Sequence, residues 1–388
     1  MKNVYCLNNI SKVGLSALPE NFTVSTSLEI SDAILVRSAQ MHETTLPSSV
    51  LVVARAGAGV NNIPLDPYGR AGVVVFNTPG ANANAVKELM IAGMLLASRD
   101  IYGGIKWIEA NKSDDQIAKT VEKAKAAFAG TEIFGKSIGI IGLGAIGLLF
   151  ANACEALGMR VYGTDMFLDF IRQKKDQLPR NITLVETNSE IYRQCDFISV
   201  NVPLTPETKE MLNKDVFELM KDGVVILNFA RDTLVNDTDL EQAIESKKVK
   251  AYVTDFPNFK TVNMKGVIAI PHLGASTEEA EDNCAMMAVR QVVDFIEKGT
   301  IINSVNYPRI DAGPMDSAQR VIVLHQHVDQ MGQMIADAMK SKVKISKMAT
   351  NANDKFGVTI LDTDVVAPEE ITRLLQSIPS IYRIRIIK

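Results

Sequence analysis

Three groups of residues have the types and spacing to do chemistry. The first is Gly142-Leu143-Gly144-Ala145-Ile146-Gly147, which follows the apolar run SIGII and opens a helix-like stretch. In that setting the first glycine permits a tight turn and the second lets the backbone approach a pyrophosphate. The third lets helix pack closely on strand, and the helix N-terminus supplies N–H groups and positive potential. The next apolar run, RVYGT, ends beside Asp165. That is about 20 residues on, where a carboxylate binds the ribose diol and repels a 2′-phosphate. The cofactor expected is therefore NAD rather than NADP.

The second group follows from position. In an open α/β sheet the ligand crevice lies off the carboxyl ends of the strands. Beyond Asp165, the residues that follow successive strand-like runs are Pro203, the pair Ala230-Arg231, Asp255 and His272. A guanidinium can hold a carboxylate, and an imidazole can exchange a proton near neutral pH. Histidine is scarce (His42, His272, His325 and His327), and His272, in IPHLGAS, is the one just past a strand and just before a helix on this rim. The third group is RAGAGVNNI, where two glycines expose backbone N–H groups beside Arg55, an arrangement that can bind an anion.

These residues need a scaffold with one consistent strand direction, and the chain supplies it. Short apolar runs at 4–7, 33–37, 51–55 and 73–77 read as buried parallel strands, followed by a helix from about 86 to 98. The lysine-rich stretch 111–125 reads as an exposed helix or hinge. Strand-like runs return at 138–141, 160–164, 196–202, 223–229, 250–254 and 266–270 with helical patterns between them, the signature of a Rossmann-type doubly wound sheet. A long amphipathic helix from about 277 to 298 follows. After the DAGPMD linker, residues 316–388 read as βαββαβ, a small ferredoxin-like sandwich.

Composition bounds the function. Lysine plus arginine number 41 against 45 aspartate plus glutamate, a net charge of −4, which disfavours nucleic acid or an anionic membrane as partner. Cys6, Cys154, Cys195 and Cys284 are scattered and show no Cys/His pairing, so neither a disulfide framework nor a metal site is expected. The opening MKNVYCLNNISK lacks an apolar h-region, and a cytoplasmic location is expected. Ser137 to Cys154 carries no charge, yet its four glycines favour a strand, a turn and a buried helix over a membrane span.

The motifs RAGAGVNN, NTPGANANAVKE, GLGAIG with Asp165, NVPLTPETK, NFARDTLVN and PHLGASTEEAEDN together resemble those of the D-isomer-specific 2-hydroxyacid dehydrogenases, and the resemblance covers essentially the whole chain. It implies a flavodoxin-like substrate domain (1–96 and 286–309) into which a Rossmann-type NAD domain (97–285) is inserted. The C-terminal unit resembles an ACT domain. With RAGAGVNN, it singles out the branch that oxidises 3-phospho-D-glycerate to 3-phosphohydroxypyruvate, at the start of the phosphorylated route to serine.

The resemblance makes His272 the acid/base group and Arg231 the holder of the substrate carboxylate. It puts Arg55, Gly57, Asn82 and Lys125 at the substrate. It assigns Gly142, Gly144, Ala145, Ile146, Gly147, Asp165, Val202, Pro203, Ala230, Asp255 and Gly274 to the cofactor. A homodimer or homotetramer is implied.

Two departures stand out. After Asp255 the chain reads FPNFKTVN, with no glutamate where the family usually sets one against the histidine; Asp232 and Asp255 are the nearest carboxylates in sequence. In the C-terminal unit His325 matches the histidine that serine-regulated relatives use, but His327 and Lys344 stand where asparagines are expected. The alternatives are a reductase of hydroxypyruvate or glyoxylate, and an NAD-sensing regulatory protein on the same fold.

Overall fold

Three sheets carry the molecule in a computed structural model that describes residues 1–340 and 342–388. The first contains β1 (Lys2–Cys6), β2 (Phe22–Ser25), β3 (Ala33–Val36), β4 (Val52–Arg55) and β5 (Val74–Phe76), all parallel, in the order β2-β1-β3-β4-β5. This is the flavodoxin-like order. β2 has no counterpart in the sequence reading. It is an edge strand of four residues, FTVS, with only Phe22 buried, so the apolar run that marks its neighbours is missing.

The second sheet contains β6 (Ser137–Ile141), β7 (Arg160–Thr164), β8 (Thr183–Leu184), β9 (Phe197–Val200), β10 (Val224–Asn228), β11 (Val249–Thr254) and β12 (Val267–Ala269). All pairs are parallel, and the order β12-β11-β10-β9-β6-β7-β8 reverses direction at β6, as in a Rossmann sheet. The uncharged stretch from Ser137 to Cys154 resolves into β6, a glycine turn and the helix Ala145–Ala156. Among the described residues no helix is long and apolar enough to cross a membrane. The helix Ile117–Ala124, in the lysine-rich stretch, buries no residue.

The third sheet is antiparallel: β13 (Gln319–Gln326), β14 (Ile345–Ala352), β15 (Phe356–Thr363) and β16 (Ile381–Ile387), in the order β14-β15-β13-β16. With the helices Met331–Met339 and Pro368–Gln376 it makes the expected ferredoxin-like βαββαβ unit.

The described residues form two compact units, Met1–Asn82 with Glu278–Lys388, and Ala83–Thr277. Within the first unit the helix Glu278–Lys298 turns Cys284, Ala288, Val292 and Phe295 into a core shared with β1, β4 and β5. The C-terminal sheet adds Ile322, Leu324, Phe356, Val358 and Ile360 to that same core. Its opposite face lies under its own two helices, around Ile335, Met339, Ile371 and Leu375.

His325 is consequently buried, with ring nitrogens 2.8 Å from the Gln326 carbonyl and 3.2 Å from Thr359 Oγ1. Burial pushes its pKa down. Lys344 pairs with Asp364 at 3.0 Å, and His327 is exposed.

One charged pair lies within the C-terminal sheet, between β13 and β15, and its arginine also reaches the linker. Arg320, 1% exposed, meets Asp362 through Nε (2.7 Å) and Nη2 (2.8 Å). It also donates to the carbonyls of Lys298, Gly313 and Pro314 at 2.9, 2.9 and 3.3 Å. Removing one member of such a pair leaves a buried charge uncompensated, whereas replacing both removes the desolvation cost as well. Arg320→Leu should lower the unfolding free energy by about 3–5 kcal/mol, and adding Asp362→Leu should recover much of it. Urea denaturation of the two variants reads this; a double variant no more stable than the single one would contradict it.

Candidate active site

The site in the second unit begins at the turn after β6. Gly142 has φ +95°, a conformation glycine adopts freely, and a Cβ there would lie 2.6 Å from the Asn201 carbonyl oxygen. A Cβ on Gly147 would overlap the Gly142 carbonyl, so the helix Ala145–Ala156 can approach β6 only with glycine there. Gly144 is different: a Cβ on it would meet nothing within 4 Å, leaving open space before the helix N-terminus, where Ala145 and Ile146 begin the first turn. Backbone donors that face open space at a helix start suit a pyrophosphate.

Asp165 follows β7 and is clamped to that turn. Its Oδ2 accepts from the Leu143 N–H at 2.8 Å and its Oδ1 from the Phe167 N–H at 2.9 Å. Val202 is half-buried and Pro203 exposed beyond the end of β9, with the Pro203 carbonyl accepting from Thr208 Oγ1 at 2.7 Å.

At the end of β10 the Ala230–Arg231 turn is held by Asn228, a residue the sequence reading passed over. Asn228 Oδ1 accepts from the Ala230 N–H at 3.1 Å, and its Nδ2 donates to the Arg231 carbonyl at 2.8 Å and to Tyr252 Oη at 2.9 Å. The signal was there to find: a fully buried amide inside the apolar run VVILN has to be paying for its place with hydrogen bonds. The guanidinium of Arg231 lies 5.3 Å from the centroid of the Phe256 ring, and that ring lies 4.4 Å from the His272 imidazole.

Asp255, 1% exposed, sits between these groups in the chain, at the end of β11. Burial pushes its carboxyl up to about 6, partly opposed by hydrogen bonds from its own and the Gly274 backbone N–H and by the charge of Arg231. A Cβ on Gly274 would come within 3.2 Å of Asp255 Oδ2, and Asp255 Oδ1 is buried with no hydrogen-bond partner. A buried acceptor left over in this way suits a donor brought by a ligand, such as a carboxamide NH2.

The remaining candidates lie elsewhere. Lys125 is exposed and ion-paired with Glu122. In the first unit Arg55 ends β4, and its Nε donates to the Arg37 carbonyl at 2.8 Å. The Gly57 carbonyl accepts from the Thr78 N–H at 3.1 Å, and Asn82 is half-buried. Arg37, also unremarked in the sequence, comes just after β3, much as Arg55 ends β4, and pairs with Glu281 at 2.7 Å. A cleft of about 620 Å³ in the second unit lies among Leu96–Asp100, Lys250 and Gly266–Ala269, and does not include the Arg231–His272 group. Among the described residues no three His, Cys, Asp or Glu side chains are grouped to hold a metal.

Asp255 yields a test that needs no ligand. Its carboxyl binds a proton more tightly folded than unfolded, where its value is 3.8, so the stability this one group contributes is lost as pH rises from about 4 to 6. Asp255→Asn should gain stability over wild type across that interval and hold the gain above pH 6, as read by urea denaturation at several pH values. A difference that does not vary with pH would contradict the raised value.

Comparison with known proteins gives a consistent picture. Residues 91–274 match the model for the D-isomer specific 2-hydroxyacid dehydrogenase, NAD binding domain. The chain is 34% identical over 322 residues to the D-3-phosphoglycerate dehydrogenase of Bacillus subtilis, covering 81% of this chain and 58% of that one. It is 29% identical over 397 residues to D-3-phosphoglycerate dehydrogenase 1 of Saccharomyces cerevisiae, covering 94% and 79%.

Among solved structures, a glyoxylate reductase from Paecilomyes thermophila superposes with a TM-score of 0.65 at 25% identity, covering 78% of this chain and 98% of that one. The NAD+-bound 3-phosphoglycerate dehydrogenase of Entamoeba histolytica does so with 0.62 at 25%, covering 79% and 98%. The chain spans 56% to 61% of the length of the first three curated relatives it matches. The matched region lies almost wholly within the second unit, which is therefore an NAD-binding domain of the D-isomer-specific 2-hydroxyacid dehydrogenase family.

Proposed function

We propose that the chain is an NAD-dependent dehydrogenase that oxidises 3-phospho-D-glycerate to 3-phosphohydroxypyruvate, opening the phosphorylated route to L-serine. The observation that carries the reading is Arg231, Asp255 and His272 standing at the carboxyl ends of three adjacent strands, with a buried, unmatched acceptor on Asp255.

The residues present fit the cofactor. The Gly142–Gly147 turn with Ala145 and Ile146 would take the pyrophosphate and Asp165 the ribose diol. Val202, Pro203 and Ala230 would border the cofactor, and Asp255 beside Gly274 would take the carboxamide. When bound, NAD supplies a hydride acceptor. Arg231 holds the substrate carboxylate and polarises the C2 oxygen, so that charge developing on it meets a fixed cation. His272 takes the C2 hydroxyl proton as C2 gives up its hydrogen with both bonding electrons, and a ketone is left. In the reverse direction His272 returns that proton. A carboxylate at Asp165 repels a 2′-phosphate, which favours NAD over NADP.

We assign substrate binding in the first unit to Arg55, the Gly57 backbone and Asn82, and a phosphate-binding role to Lys125. We read 316–388 as an ACT-like segment serving oligomerisation, with the protein a homodimer or homotetramer. The helix Ile101–Ala110 exposes Ile101, Tyr102, Ile105 and Ile108, which an assembly would cover. Four free cysteines suit a reducing cytoplasm. The structural likeness to a glyoxylate reductase favours a second reading, reduction of unphosphorylated 2-oxo acids.

Following NADH consumption with 3-phosphohydroxypyruvate, hydroxypyruvate and glyoxylate separates these readings. A preference for the phosphorylated substrate of about tenfold or more in kcat/KM is expected, with a loss in kcat of about 10²–10⁴-fold in His272→Ala. Equal or better turnover of glyoxylate supports the second reading. NADH binding without turnover of any of the three points to a sensor. Asp165→Ala should weaken NAD and narrow its advantage over NADP.

A further inference from the structure

Phe256 joins the two polar groups on which the proposed reaction depends. Arg231 follows β10, Phe256 follows β11 and His272 follows β12, and β11 lies between the other two strands in the sheet. The aromatic ring therefore projects from the middle of three adjacent strand ends. Its centroid is 4.4 Å from that of the His272 imidazole, with the planes inclined at 46°, and the Arg231 guanidinium carbon stands 5.3 Å from it.

The backbone that carries the ring is itself restrained. The Phe256 N–H donates to Thr254 Oγ1 at 3.0 Å, and Pro257 limits the preceding residue to extended conformations. Asp255, immediately before it, is buried. Phe256 is thus a half-buried aromatic on a braced turn, not a mobile surface side chain.

We propose that Phe256 is a positioning residue of the dehydrogenase reaction, setting the Arg231 guanidinium and the His272 imidazole in one geometry through contact with both. The inference rests on the reading of this site as a 2-hydroxy-acid dehydrogenase centre. The physical basis is twofold. Van der Waals contact with a flat, rigid ring limits how the imidazole can turn, which matters because proton transfer depends on a narrow range of approach. The ring face is also electron-rich and attracts cations. It therefore favours the guanidinium and also the imidazolium that forms when His272 accepts the hydroxyl proton. An aliphatic side chain of similar volume supplies the contact but not the face.

The test compares F256L, which keeps apolar volume and removes the ring, with F256Y, which keeps the ring. Steady-state kinetics with NADH and 3-phosphohydroxypyruvate, or whichever 2-oxo acid the wild type prefers, should show kcat of F256L reduced about tenfold or more and KM raised a few-fold. NADH affinity, from fluorescence titration, should stay within about twofold of wild type, and F256Y should keep kcat within about threefold. In NMR spectra assigned with His→Gln variants at the four histidines, the His272 ring protons should be shifted by the Phe256 ring current in wild type and should move back in F256L.

An active wild type whose F256L variant keeps kcat and KM overturns the proposal and leaves the proposed function standing. So does an F256Y as impaired as F256L with NADH binding intact. A wild type that reduces no 2-oxo acid overturns the proposed function itself. Should F256L fail to melt cooperatively, F256M takes its place under the same criteria.

Discussion

The carbonyl of Gly142 occupies the space where a Cβ on Gly147 would stand, and much of the second unit follows from that contact. Because Gly147 has no side chain, the helix Ala145–Ala156 lies close against β6 with its N-terminus at the carboxyl edge of the sheet. The same turn brings the Leu143 N–H to Asp165, so one carboxylate closes the gap between β6 and β7. Parallel pairing then fixes where the other chemical groups emerge. Each strand that joins the sheet must end on the same edge, and Arg231, Asp255 and His272 each arrive on a different strand end.

Much of this was legible in the sequence because parallel strands buried on both faces leave uninterrupted apolar runs, and a residue just past such a run is a rim residue by geometry. SIGII and VVILN are runs of that kind, RVYGT is a shorter one behind the exposed Arg160, and Asp165 and Arg231 could be read from them. The ends of the sheets were less legible. β2 and β8 are short and half-exposed, so no apolar run announces them. β14 is an edge strand with no buried residue, so no uninterrupted apolar run marks its span of Ile345–Ala352.

Among the site residues, those missed are the ones whose work is indirect. Asn228 touches no open space; it holds the turn that carries Arg231. Phe256 looks in sequence like any apolar residue at the end of a strand, and only the folding of three strands side by side shows that it meets both a guanidinium and an imidazole. Spacing reveals groups that act on a ligand directly. Residues that act by orienting those groups are revealed by contacts between separate strands.

The first unit is assembled from segments that leave the ribosome far apart in time. β1 to β5 emerge first, with Val4, Leu35, Val52, Ala54 and Phe76 destined for a core completed by the helix Glu278–Lys298 and the C-terminal sheet. The residues between them, Ala83–Thr277, form a separate compact unit. At synthesis rates of about 5–20 residues per second, the apolar face of the first sheet waits on the order of 10–40 seconds for its cover. During that interval the inserted unit, whose own segments are contiguous, is free to fold. The nascent chain thus passes through a stage in which a finished nucleotide-binding fold is tethered to an uncovered sheet, and this is when it is most exposed to aggregation and most in need of a chaperone.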